Sequence, residues 1–203
     1  GISPKVNLLA IKVLDSNGAG TWSGLAAGIN WCIANKNLYN ISIISMSLGS
    51  AGVTYTPSTS PGYIDPALQS AYNLNIVPVA GSGNDGSLTG IIYPAVSPYV
   101  ISVGASYDAN IGTYSFLLTN GSWCTDTIAN PNMVTCFSDR APFLDMIAPG
   151  ASISSTTVQG SFGASAGTSY AAPHVSGTIA LMKQHNPQMT VAQIENILKT
   201  TGV

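Results

Sequence analysis

Apolar residues along this chain gather into short blocks separated by Gly, Ser, Asn and Pro, and the spacing inside each block predicts an element. Residues 6–14 (VNLLAIKVL) form an apolar run with β-branched members and predict a strand. An NGAG turn signal follows, after which Trp22, Leu25, Ala26, Ile29 and Ile33 recur at helical spacing. The run 41–48 (ISIISMSL) is nearly continuous in apolar character, as in strands buried on both faces. Strand, helix and strand in that order make a βαβ unit. A Pro-, Ser- and Thr-rich loop leads to a short helix over 66–73, then to the strand IVPVA at 76–80 and a further strand at 99–106 (YVISVGAS). The alternation predicts an α/β fold, with a mostly parallel sheet flanked by helices and right-handed crossovers.

Past Ser106 the alternation breaks down into a loop-rich stretch running to Gly167, with LDMIAPG at 144–150 as one more strand. Two helices follow. The first is predicted over 169–184, and the second is opened by a Thr190–Gln193 capping box after Pro187. No repeat or linker divides the chain, so residues 1–203 are expected to be a single domain.

Composition narrows the function classes. A 45% hydrophobic content with mean hydropathy +0.29 fits a packed globule, yet no run approaches the length of a membrane span. The amino terminus carries no basic head and apolar core of a signal peptide. Only 7% of residues are charged, six basic against eight acidic, and the pI is about 5.4, so neither a nucleic-acid nor a membrane partner is expected. Cys124 and Cys136 flank a polar, Asn-rich loop, whereas Cys32 sits in an apolar helical pattern. One loop disulfide and one buried thiol follow, which suits an extracellular protein; three free thiols in a cytosolic protein are the alternative.

Two motifs carry candidate chemistry. AGSGNDG at 80–86 matches the G-x-G-x-x-G phosphate-binding pattern, but that pattern works only where its last glycine opens a helix. Here SLTGIIYP follows, and Gly90 and Pro94 forbid a regular helix; Asp108, at the spacing of a ribose contact, does not rescue the reading. GTSYAAPHVSG at 167–177 sets Ser169 where a long helix begins, facing the positive end of its dipole. An ordinary N-cap serine is the bland alternative. The five residues 167–171 also approximate the nucleophile elbow of α/β-hydrolases. That family orders its triad Ser, acid, His, and only Glu195, His174 and His185 lie downstream, all within two terminal helices, so the order fails.

Taken together, GISPKVNLLAIKVLDSNGAG, INWCIAN, ISMSLGS, VAGSGNDG, YPAVSPYVISVGA, FSDR, LDMIAPG and above all GTSYAAPHVSG resemble the subtilisin-like serine proteases, the subtilases, in the family's order and over nearly the whole chain. The resemblance implies a three-layer subtilisin-like fold and a secreted endopeptidase that cuts peptide or protein substrates without a cofactor in its chemistry. It makes Ser169 the nucleophile and Asn84 the oxyanion-hole residue. Ser47, Leu48 and Gly49 would pair with an extended substrate backbone. Gly81, Ser82 and Gly83 would form the opposite wall of the pocket for the residue before the cut. Ile92 stands where the family often has a small residue at the pocket floor, which implies a shallow pocket. Asp85 at the pocket mouth would favour basic side chains, and the Tyr93-Pro94 bond would be cis.

The resemblance also has gaps. The family's catalytic Asp and its His lie upstream of the GISP segment and neither is present, so the amino-terminal elements of the fold are expected to be missing. His174 lies inside the helix that Ser169 opens and is expected to be structural, with His185 exposed at the far end. The Asp-bearing strand of the family lies between the segments corresponding to 6–14 and 41–48, so the chain is read as the larger part of a catalytic domain, completed by an amino-terminal segment in another chain or by a closed-up sheet. A non-catalytic, peptide- or partner-binding subtilase-like scaffold is the alternative. Structural calcium stays open and unassigned: Asp145 falls where one weaker site has an acid, but Phe143 replaces its neighbouring acid.

Overall fold

The computed structural model describes residues 1–158 and 160–202. Its centre is a four-stranded, all-parallel sheet in the order β1 (Ile43–Met46), β3 (Val77–Gly81), β5 (Ile101–Ser106) and β8 (Met146–Pro149). The crossovers between them carry α3 (Asp65–Asn73) after β1 and, after β3, a return loop holding the cis Tyr93-Pro94 bond. Before the sheet come α1 (Trp22–Ala34) and a single turn, α2 (Lys36–Tyr39). After it come α4 (Thr168–His185) and α5 (Val191–Thr201).

Period-2 alternation in the sheet explains the layers. Val77 and Val79 of β3, with Ile101, Val103 and Ala105 of β5, face a core built with Ala171, Val175 and Ile179 of α4 and Ile194 of α5. Ala80 and Met46 face the opposite core, shared with Leu25 and Ile29 of α1 and Leu68 and Ala71 of α3. Helices therefore cover both faces of a parallel sheet, as such sheets require. Residues 171, 175 and 179 recur every fourth position, so a single stripe of α4 lies along the strands.

Local chemistry sets the helix ends. Thr21 caps α1 by accepting the Gly24 N–H at 3.0 Å. Thr190 and Gln193 form the predicted capping box of α5, each side chain taking the other's backbone N–H.

Two expectations need correction. Residues 6–14 form no strand: Val6, Leu8, Leu9 and Ile11 are exposed, Leu8 by 87%. The run lies against α1 instead, with Ile11 and Val13 closing on Gly28, while Ile2, before the run, closes on Gly177 of α4. A strand exists only through ladder hydrogen bonds to a partner, and among the described residues the run makes none, while β1 pairs with β3 and leaves its other edge open. For the same reason β1 is an edge strand with Ser45 exposed, not one buried on both faces.

The stretch after Ser106 is also more ordered than its sequence pattern suggests. It holds two antiparallel hairpins, β6 (Gly112–Leu117) with β7 (Trp123–Ala129) and β9 (Ile153–Thr156) with β10 (Phe162–Ser165). A two-residue pair, β2 (Thr54–Tyr55) with β4 (Ile91–Ile92), closes the 50–64 loop against the sheet. Cys124 and Cys136 are disulfide-bonded and Cys32 is a buried free thiol.

Candidate active site

The carboxyl ends of β1 and β3 and the amino terminus of α4 meet at one cavity of about 150 Å³. Such ends are where open α/β sheets keep their sites. Ser169, Asn84 and Thr168 line it, with Ser47, Leu48 and Gly49 on one side and Gly81, Gly83 and Asp85 on the other. Ile92 lies between these walls: its side chain would meet a Cβ placed on either Gly49 or Gly83.

Ser169 is not the N-cap of its helix. That place belongs to Gly167, whose φ of 149° is one that residues with a side chain rarely adopt, and a Cβ there would lie in van der Waals contact with the Asn84 carboxamide. Ser169 is thus the second helical residue, with its N–H among those a helix leaves free at its start. Its carbonyl would normally accept from residue 173, but residue 173 is proline and has no N–H. The Ser47 hydroxyl fills that vacancy, donating to the Ser169 carbonyl at 2.7 Å and tying the end of β1 to the first turn of α4.

Asn84 is oriented by Thr168. The Thr168 backbone N–H donates to Asn84 Oδ1 at 2.9 Å, and its hydroxyl donates to the same oxygen at 3.2 Å. A backbone N–H can only donate, so the carboxamide oxygen must face it and the NH₂ group must face away. The Thr168 oxygen also accepts the Gly83 N–H at 3.1 Å, which fixes the glycine turn that carries Asn84. Two N–H sources, Asn84 Nδ2 and the start of α4, therefore converge on one cavity, the arrangement that stabilises a negative oxygen. Thr168 went unnoticed in the sequence, where its only signal is that it precedes Ser169.

Ser82 does not belong with its neighbours. Alternation along the strand end turns it away from Gly81 and Gly83, and it is fully buried with its hydroxyl donating to the Asp139 carbonyl at 2.6 Å. Its backbone is committed too, the N–H to Val103 and the carbonyl to Ile92. Asp85 lines the cavity, but its two carboxylate oxygens are shielded from solvent and unbonded among the described residues, so its charge is not presented at the mouth.

Behind Gly83 lies Asp139, fully buried, where a Cβ on Gly83 would collide with its carboxylate. Asp139 Oδ1 accepts the N–H groups of Asp85 at 3.0 Å and Ser87 at 2.8 Å, bracing the loop from below. Burial pushes its carboxyl up to about 7, with the Asp85 charge adding to the rise and the Ser87 N–H working against it.

Neither histidine reaches Ser169. His174 Nδ1 pairs with the Tyr170 carbonyl at 2.7 Å inside α4, and His185 is exposed in its last turn. Among the described residues no cluster of three or more His, Cys, Asp or Glu could hold a metal ion. Asp145 does not fit a calcium site, because it already pairs with Lys199 at 2.6 Å and accepts from Ser102 N–H and hydroxyl.

With this geometry in hand, comparison with known families is decisive: the model of the subtilase family, peptidase S8, matches residues 1–202. The chain belongs to the subtilase family. This subtilase is 36% identical over 205 residues to subtilisin E of Bacillus subtilis (strain 168), a match covering 100% of this chain and 45% of the relative. It is 34% identical over 202 residues to alkaline elastase YaB of Bacillus sp. (strain YaB), covering 100% and 44%. It thus spans a little under half the length of these relatives. Among solved structures, a cold-adapted subtilisin-like serine proteinase superposes with a TM-score of 0.73 at 26% identity, over 98% of this chain and 62% of that one. The shared fold is α/β, with a parallel sheet flanked by helices.

Proposed function

We propose that this subtilase chain is the larger part of a secreted serine endopeptidase domain that cleaves peptide bonds through an acyl-enzyme on Ser169. The observation that carries this reading is the convergence of Asn84 and the α4 amino terminus on the cavity that Ser169 lines. Ser169 Oγ attacks the scissile carbonyl carbon. The oxyanion accepts hydrogen bonds from Asn84 Nδ2 and the Ser169 N–H, and on collapse the proton taken from Oγ by the base is delivered to the departing nitrogen, releasing the amine and leaving an ester on Ser169. Water then attacks the ester and restores the hydroxyl. Deprotonating Ser169 needs a base, and the chain's own histidines are engaged or remote.

An amino-terminal segment bearing Asp and His is the partner this reading requires. The unpaired edge of β1 and the exposed apolar residues of the 6–14 run support a strand lying between them. The Cys124–Cys136 disulfide supports an extracellular setting. The side chain of Ile92, set between the pocket walls, supports a preference for small residues before the cut.

The second reading, a scaffold that binds peptides without cutting them, draws on the lack of any acid or His bonded to the Ser169 hydroxyl among the described residues. A fluorophosphonate probe on the full-length protein separates the two. Labelling that Ser169→Ala abolishes is expected for the peptidase; an unlabelled protein that still binds peptide would leave only the scaffold.

A further inference from the structure

One lining residue of the cavity comes from the region between β5 and α4: Thr119, at the turn between β6 and β7. This turn bridges two loops. Leu118 methyl carbons lie 3.6 and 3.8 Å from the position a Cβ would take on Gly86, just past Asn84. On the other side, Thr119 Cγ2 lies 4.0 Å from the corresponding position on Gly52, next to Ala51, another lining residue. The hairpin tip therefore spans from the loop that carries Asn84 to the loop that follows Gly49, on the side of the cavity away from the sheet.

The tip is held firmly enough to act as a wall. Leu118 N–H donates to the Ser122 carbonyl at 2.8 Å and Gly121 N–H to the Leu118 carbonyl at 2.9 Å. Asn120 Oδ1 accepts both the N–H and the hydroxyl of Ser122. Lower down, Phe116 packs on buried Phe137 with ring centres 4.2 Å apart, and Asp126 Oδ2 accepts from the Tyr107 hydroxyl and the Cys136 N–H. The Cys124–Cys136 disulfide joins the hairpin to the same segment. That segment in turn grips the Asn84 loop, since the Phe137 carbonyl accepts the Gly86 N–H at 3.0 Å and Asp139 takes the next amides. Hairpin, segment 136–139 and Asn84 loop thus form one cross-linked unit.

We propose that the disulfide-anchored β6–β7 hairpin is the outer wall of the pocket for the substrate residue before the cut, and that Thr119 determines how large that residue can be. The inference rests on the peptidase reading for its substrate but on binding alone for its test. Ile92 limits the pocket from the floor and Thr119 limits it from the outside, so the two act on the same side chain from opposite directions.

The test uses the full-length protein and product-like peptides ending in Ala or in Phe, with affinities measured by isothermal titration calorimetry. Thr119→Gly is expected to shift the Ala-to-Phe preference toward Phe by about tenfold, the scale at which a pocket senses one or two methylenes. Thr119→Trp is expected to shift it toward Ala. A preference within twofold of wild type in both variants overturns the proposal, as does an equal weakening of both peptides, which would mean that the tip holds backbone and not side chain. Probe labelling of wild-type Ser169, read separately, shows whether a negative result belongs to the wall or to the peptidase reading beneath it.

Discussion

At the scale of single residues, the site is a set of donors aimed by their neighbours, and each neighbour can be tested. On the proposed peptidase reading, Asn84→Ala removes the side-chain donor and is expected to lower kcat by about 10²–10³-fold with little change in KM, a magnitude known for subtilisin itself. Thr168→Val leaves the backbone N–H on Asn84 Oδ1 but deletes the hydroxyl that also holds Gly83. It is expected to lose about tenfold in kcat, a cost of about 1.4 kcal/mol, consistent with losing a hydrogen bond that positions and does not react. Steady-state kinetics checks both. Asp139 gives a prediction in pH. Its carboxyl titrates near the ordinary 3.8 when unfolded and at about 7 when folded, so through that window the folded state holds a proton that the unfolded chain lacks. Stability therefore falls as pH rises from about 4 to about 7, and the penalty is fully present above 7. Asp139→Asn keeps an acceptor for the Asp85 and Ser87 amides and cannot ionise. Urea unfolding at about pH 5 and about pH 8 is expected to show a smaller loss of stability with pH in this variant than in wild type.

At the scale of elements, helices were the most legible part of the sequence and hairpins the least. α1, α4 and α5 follow from 3.6-residue periodicity and a capping box, signals contained in a dozen neighbouring residues. β6 and β7 alternate mostly between exposed and half-buried positions, so no fully buried apolar face marks them in the sequence. They are fixed by contacts distant from their own turn: the packing on Phe137, the Asp126 bonds and the disulfide. Removing that cross-link by Cys124→Ser with Cys136→Ser frees a loop with a sequence separation of 12 residues. A loss of about 2–4 kcal/mol is expected, visible as a lower midpoint in thermal unfolding. The run 6–14 shows the opposite failure: its apolar residues signal a strand plainly, but a strand is a relation between two segments and no second segment pairs with it.

At the scale of the whole molecule, two well-packed cores coexist with one side where apolar residues and a strand edge lie exposed. Leu8, Val6 and Leu9 are exposed on the 6–14 run, and β1 offers an unpaired edge. Exposed strand edges with apolar neighbours template association. If an amino-terminal strand docks there, as proposed above, the 203-residue chain alone is expected to bind an apolar dye and to self-associate in size-exclusion chromatography, while a protein carrying that strand does neither; a monomeric, dye-silent chain would count against the docking. The sequence by itself determined the α/β class, the parallel strands β1, β3, β5 and β8, and the chemistry of Ser169 and Asn84 as candidates. The class and the strands rest on periodicity written within short windows of the chain, and the two candidate residues on the resemblance of blocks along the chain to the subtilases. Only the tertiary structure decided that Ser82 turns inward while its glycine neighbours line the cavity, that Thr168 aims Asn84 across a separation of 84 residues, and that Thr119 lines the same cavity. Those facts depend on which surfaces meet when distant segments pack, and no short window of sequence contains both partners of such a contact.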